Sequence, residues 1–313
     1  VCRVSTASPM SAASASAVLP LLPFAQVRYD PVTQWHLLPW KRNLSSVQLM
    51  HPSSWIKRLE PSQSMLLQVG ANDHSGNSNG KDYGLLATSS GWNSLLIEPM
   101  PSAYDRLVER YRTTSRVRLM NAAVCDSCNS QAQTMWYVDL TNTTGNWGSV
   151  DADTRCARES ILKEIASLDR THVLRHDHYM KLQTKLCASC GMRLYGRKLP
   201  KWCLRHVVTK NLRSRRVECA CLSGGLGIHG AVSLLQVDAE RHDYEVLSQY
   251  PFDKLPTWRV IFEATHMNAQ KYNMTATMLR SHGFVCILGK HKGSAMSVWH
   301  NFHSKEVLRA GMA

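Results

Sequence analysis

Long apolar runs are missing from this chain. A bilayer-spanning helix needs roughly 20 apolar residues. The nearest stretch, Val18 to Ala25, is short and broken by Pro20 and Pro23. This gives no integral membrane segment in the chain. Phosphate-binding glycine signatures are missing where they would count. The turn Gly70-Ala71-Asn72 lacks the G-x-G-x-x-G of dinucleotide folds, and no G-K-[ST] follows it. No N-P-P-Y or D-P-P-Y string, suited to amino groups of nucleic-acid bases, occurs, and no internal repeat is apparent. Carboxylates are absent from residues 1–29 and again from His178 to Val217.

The second gap locates the charge. The formal net charge is +14, from 37 Lys and Arg against 23 Asp and Glu. Eleven of those cations lie between His178 and Val217, and without that segment the balance is 26 to 23. The basicity belongs to an insert, so a domain-wide nucleic-acid footprint is not supported, though a local anionic partner stays open. The acid-free, Ser/Ala-rich start resembles an organelle transit peptide or secretory stem; a leader of no set destination on a cytoplasmic protein is the alternative. Apolar residues make up 44% of the chain, enough for a packed core.

What is present is concentrated between Met65 and Pro99. Leu66, Leu67 and Val69 form a short apolar strand, and Gly70 permits a sharp turn. A helix over Asp82–Ser90 follows, then strand Ser94–Ile97, ending in Glu98. A carboxylate at that strand end is placed to accept both hydroxyls of a ribose. A ribose acid without a pyrophosphate loop points to S-adenosylmethionine rather than NAD or ATP. Downstream, Ser102 with Asp105 reads as a capping pair for helix AYDRLVERY. Strands are expected at Val117–Met120, Gln133–Val138, Val232–Val237, Arg259–Glu263, Phe284–Leu288 and Ser297–His300, the last two antiparallel. Helices are expected at Asp243–Tyr250 and Thr275–His282. The alternation predicts an α/β fold with a doubly wound, mostly parallel sheet. Residues 1–60 read as a leader and approach segment with Trp35, Trp40 and Trp55 as core contacts, 61–300 as the domain, and 301–313 as a tail.

Several of these strand ends carry a shared pattern. Gln68-Val69-Gly70-Ala71-Asn72-Asp73, Leu96-Ile97-Glu98-Pro99, Asn121-Ala122-Ala123-Val124, Leu235-Gln236-Val237-Asp238-Ala239-Glu240 and Phe262-Glu263-Ala264-Thr265-His266 occur in this order. Together they resemble the FkbM-type methyltransferases, from Met65 to about Ile287. The resemblance implies a Rossmann-like methyltransferase fold with a seven-stranded sheet and helices on both faces. It also implies S-adenosylmethionine-dependent O-methylation of a small hydroxylated molecule or sugar. Gly70, Ala71 and Asn72 are then expected at the methionine part of the cofactor, Glu98 at the ribose, and Asn121 and Ala122 at the adenine. Asp238 and Glu240 are expected as the polar centre of the reaction, with His266 as base and His242 and Glu263 as neighbours. Two positions depart from the pattern. Gln68 stands where an acid is usual, so that either cofactor binding is weaker or the contact passes to Asp73, and Arg241 replaces a glycine. A second class is a degenerate methyltransferase fold that binds a polyanion or nucleic acid through the insert. The sequence is silent on oligomeric state.

The insert, residues 178–221, is also cysteine-rich. Cys187-x2-Cys190-x12-Cys203-x2-His206 has the spacing of a tetrahedral Zn²⁺ site, with Cys219 or Cys221 as alternative fourth ligands. Disulfides and free thiols are the competing readings. The pair Cys125 and Cys128 lies in an expected loop with no second pair nearby and carries little weight beside these.

Overall fold

In the computed structural model the described residues are 28–30, 35–37, 52–74, 82–129, 131–139, 166–175, 209, 211–228, 230–288 and 296–301. Strands β1 (Arg28–Asp30) and β2 (Trp35–Leu37) pair as an antiparallel ribbon. The helix α1 (Pro52–Ile56) then leads into β3 (Met65–Val69). From there strand and helix alternate: α2 (Tyr83–Ser89), β4 (Asn93–Ile97), α3 (Pro101–Tyr111) and β5 (Val117–Met120). A second group follows, with β6 (Ala123–Val124), β7 (Ala132–Val138), β8 (Ala166–Ser167), α4 (Arg170–Arg175) and β9 (Leu212–Ala220). The alternation resumes with β10 (Val232–Val237), α5 (Asp243–Gln249), β11 (Thr257–Glu263) and α6 (Ala269–Ser281), and ends with β12 (Phe284–Leu288) and β13 (Met296–Asn301).

The main sheet has seven strands in the order β12-β13-β11-β10-β3-β4-β5. All of its pairings are parallel except those of β13, which runs antiparallel to both neighbours. The order reverses between β3 and β10, the switch point where open α/β sheets bind ligands. This is the Rossmann-like methyltransferase arrangement. Its strands are apolar nearly throughout because both faces are covered. Leu67, Leu95, Leu235 and Val260 pack under α5 and α6 with Val246, Leu247, Tyr272 and Leu279. Their neighbours Leu66, Leu96, Leu234 and Ile261 face α1, α2 and α3 with Trp55, Ala87 and Leu107. Trp55 is thus the core contact expected of it; Trp40 lies outside the described residues. Trp55 packs edge-on to Trp92 at 5.6 Å and beneath the fully buried Arg259 guanidinium at 4.4 Å.

Three expectations are corrected. Helix α3 begins at Pro101, whose fixed φ and missing N–H suit a first helical position. Met100 precedes it without a side-chain cap, so Ser102 and Asp105 form no capping pair. Helix α6 starts six residues before the expected Thr275, capped by Asn268, whose side chain accepts from Lys271 N at 2.8 Å. The third correction concerns the cysteines.

Strands β6, β9, β7 and β8 form a separate four-stranded sheet. All of β9 lies within the segment read as an insert, and its residues Leu212 to Glu218 pair with β7. Residues 178–208, with Cys187, Cys190, Cys203 and His206, lie outside the described residues. Cys219 and Cys221 are not metal ligands: they form disulfides with Cys125 and Cys128. The pairing of β6 with β9, with Ala123 opposite Cys219, brings the two Cys pairs together. Spacing alone could not show that, because the partners are 94 and 93 residues apart. Cys286 is disulfide-bonded as well.

Closing a loop of that length contributes about 4.6 kcal/mol by chain entropy. The second bridge closes nearly the same loop and adds far less. Peptide mapping without reductant is therefore expected to recover both pairs. Removing either bridge by Cys→Ser should cost about 1 kcal/mol in denaturant unfolding, and removing both about 3–5 kcal/mol. Equal, additive losses would contradict the shared-loop account.

Candidate functional site

At the carboxyl ends of β3, β4 and β10 lies a cavity of about 320 Å³. One wall is the turn after β3. Gly70 has φ 77, and a Cβ there would lie 1.8 Å from the Asp238 carbonyl oxygen. The two strand ends touch through backbone alone, and Asp238 N donates to Val69 O at 2.9 Å. Asn72 and His74 also hold positive φ, at 51° each. The Asn72 side chain caps its own turn by accepting from Asp73 N at 2.8 Å, the local bond that lets asparagine occupy this region.

Glu98 stands at the end of β4, 5% exposed on the cavity wall. Its two oxygens accept from Asn72 N at 2.8 Å and Met100 N at 2.7 Å. Desolvation pushes its carboxyl up to about 7 against the opposing pull of those two bonds. A carboxylate has about four acceptor positions, so two remain beyond the backbone pair. Gly70, Ala71, Asn72 and Ala122 line the cavity. Asn121 does not; its amide donates to Glu98 O at 2.8 Å and so steadies the strand end.

Gln68 is fully engaged. It is 2% exposed, receives His74 Nε2 at 2.9 Å on its side-chain oxygen, and donates to Asp82 Oδ1 at 3.3 Å. His74 continues the chain to Tyr111 OH at 2.7 Å, and burial holds its imidazole below the usual value. The expected replacement, Asp73, is paired with Arg106 at 2.7 Å and is absent from the cavity wall. Asp82 is there instead, fixed as the N-cap of α2 by Leu85 N at 2.9 Å. In sequence Asp82 reads only as the start of a helix, with no sign of its place on the cavity wall. Beside it, Gln236 Oε1 is buried without a hydrogen-bond donor among the described residues.

The opposite wall is acidic. Asp238, Glu240 and Glu263 all line the cavity, and one oxygen of each lies within 4.8 Å of the others. Desolvation, reinforced by Asp238, Glu240 and Asp243, holds Glu263 far above the ordinary carboxylate range. Glu263 therefore keeps a proton at neutral pH. His266 is not on the cavity wall. It stands behind, 3.5 Å from Glu263 Oε1, with its ring 4.7 Å from that of His172. His242 lines the cavity and pairs with Asp126.

His172 escaped the sequence reading because no motif surrounds it. It enters on the segment Ala166–Arg175, which is held to the β10 turn by three contacts. Ser167 Oγ donates to Glu240 O at 2.8 Å, His172 Nε2 meets Glu240 Oε2 at 2.6 Å, and Arg241 donates to Asp169 Oδ2 at 3.1 Å. Glu240 and Arg241 both adopt positive φ, 48° and 80°. Arg241 thus occupies a conformation that glycine adopts without cost, and its guanidinium bond to Asp169 helps hold it there. Ala166 and Leu168 of the same segment, with Met135 of β7, close the cavity from the second sheet.

No protein-family model matches the chain, and no curated protein matches it. Among solved structures it is similar to the Methanococcus jannaschii fibrillarin pre-rRNA processing protein, at TM-score 0.32 and 9% identity over 78% of this chain and 69% of that one. It is similar also to an rRNA methylase from Streptococcus thermophilus, at TM-score 0.33 and 8% identity over 81% and 98%. A third is the SAM-dependent methyltransferase from Agrobacterium tumefaciens, at TM-score 0.31 and 6% identity over 80% and 59%. The fold assignment rests on strand order and register.

Replacing Gly70 by Ala combines a left-handed backbone cost with overpacking against fixed backbone. Denaturant unfolding should show a loss of about 2–5 kcal/mol. A loss under about 1 kcal/mol, within the range of ordinary surface changes, would show that the strand ends can separate freely.

Proposed function

We propose that this chain is an S-adenosylmethionine-dependent methyltransferase that O-methylates a hydroxylated acceptor, in keeping with its FkbM-type motifs. The observation that carries the reading is Glu98: a buried carboxylate at the second strand end, facing the cavity, with acceptor capacity beyond its two backbone bonds. The rest of the cavity fits the cofactor. Ala71, Ala122 and Ala123 leave room for flat rings. The donorless Gln236 Oε1, with Asp82 beside it, suits the ammonium group that Gln68 is too engaged to take. Bound there, the cofactor supplies an electrophilic methyl group on a positively charged sulfur.

The chain's own residues do the remaining work. Glu98 accepts the two ribose hydroxyls and fixes the cofactor's direction. Asp238 and Glu240 favour the cationic reactant and take up the proton that the acceptor hydroxyl loses. His266 and His172 act behind Glu240 rather than on the acceptor. The second sheet and its disulfides form the acceptor side of the cavity, and those bridges support an oxidising compartment. A second reading is carried by the three exposed arginines of β9, Arg213, Arg215 and Arg216, which suit an anionic acceptor or a polyanion such as RNA. No helix among the described residues is long and apolar enough to cross a membrane.

Titration calorimetry with S-adenosylmethionine tests the core of this reading. Ribose hydroxyls donate to the ionised carboxyl, so a proton on Glu98 competes with the cofactor. Affinity should hold above about pH 7 and fall up to tenfold per pH unit below it. Glu98→Gln should remove that pH dependence, and Glu98→Ala should weaken binding roughly 10–100-fold. Binding unchanged in Glu98→Ala would overturn the site. Transfer of labelled methyl to RNA but not to small hydroxylated pools would favour the second reading of the acceptor.

A further inference from the structure

We infer that His172, Glu240 and His266 form a binding site for one divalent transition-metal ion at the edge of the cavity. One ligand atom from each lies within 4.8 Å of the other two. These residues come from three separate elements: His172 from α4, Glu240 from the turn after β10, and His266 from the loop after β11. Ligands at 2.0–2.2 Å from a metal lie about 3 Å apart on adjacent coordination positions. Shifts below about 1 Å would therefore seat an ion. Two imidazoles and one carboxylate select zinc, manganese or iron over magnesium or calcium, which prefer all-oxygen shells.

The electrostatics around the three residues ask for a cation. Asp238 and Glu263 each bring a carboxylate oxygen within 4.8 Å of one from Glu240, and the buried Asp243 lies close by. Glu263 Oε2 and Asp243 Oδ2 are buried without a donor among the described residues. The nearby cations are used elsewhere: Arg241 pairs with Asp169, and Lys271 pairs with Glu245. His172, 3% exposed, is aimed at Glu240 rather than at solvent. Its segment is pinned by Ser167 and Arg241, as preorganised ligands are. Glu240 reaches both the cavity and the two histidines, so an ion there lies within reach of an acceptor oxygen. This part rests on the proposed methyl transfer, where the ion would acidify the acceptor hydroxyl and leave Asp238 to take the proton. The binding site does not rest on it.

Cobalt(II) titration of untagged, chelator-treated full-length protein tests the site directly. Cobalt bound by nitrogen and oxygen gives visible d–d absorption without a thiolate charge-transfer band, which separates this site from the cysteines. One equivalent should bind with that spectrum, and zinc should displace it. Affinity should fall at least roughly 10–100-fold in His266→Asn, at a partly exposed position, and in His172→Asn. Far-ultraviolet circular dichroism and the unfolding midpoint of His266→Asn serve as the folding control. Absence of uptake, a thiolate spectrum, or unchanged binding in a folded His266→Asn variant would overturn the inference. Since the readout needs no methyl transfer, a failure of the enzyme reading would leave this result standing.

Discussion

Everything at this site depends on the contact between Gly70 and the backbone of Asp238. A side chain at residue 70 would collide with the Asp238 carbonyl, and the φ of 77 excludes most residues on its own account. Because the two strand ends meet there without side chains, β3 and β10 can stay in register to their last residues, Val69 opposite Val237. That register carries Asn72 over to Glu98 on one side and Asp238 and Glu240 onto the facing wall. The cavity exists because the turns diverge immediately after this contact.

The two walls then differ in how their acids are held. Glu98 is steadied by two backbone N–H groups, so it resists the pull of burial toward neutrality only in part, and its titration falls near neutral pH. Across the cavity, Asp238, Glu240 and Glu263 crowd together with Asp243 behind them, and burial with like charge holds Glu263 and Asp243 toward their protonated forms. One wall suits hydroxyl donors; the other suits a cation. The proposed cofactor, with a ribose at one end and a sulfonium at the other, would span that difference. The second sheet, tied by Cys125–Cys219 and Cys128–Cys221, supplies the remaining wall and brings His172 to Glu240.

Much of this was legible in the sequence because strand ends announce themselves locally. An apolar run followed by Gly70, or by Glu98 before a proline, marks both an element and its polar tip. The switch point and the antiparallel β12–β13 pair agree with the alternation read from Met65 to His300. What the sequence hid depends on distant pairing. Cys125 and Cys128 looked like a loop motif until β6 met β9, and His172 carries no spacing signal at all. Gln68 looked like a lost charge. It is instead a buried link between His74 and Asp82, and the carboxylate on the cavity wall belongs to Asp82, which reads in sequence only as the first residue of a helix. Helix α3 misled for a similar reason, since Pro101 at its first position made the Ser102 cap unnecessary.

The central claim is that the cleft below Gly70 holds a nucleoside with its ribose on Glu98. A crystal structure with S-adenosylhomocysteine bound tests it most directly. The account predicts both ribose hydroxyls within hydrogen-bond distance of the Glu98 carboxylate, the amino acid end near Asp82 and Gln236, and the sulfur facing Asp238 and Glu240. A ligand seated elsewhere, or one whose ribose avoids Glu98, would contradict it.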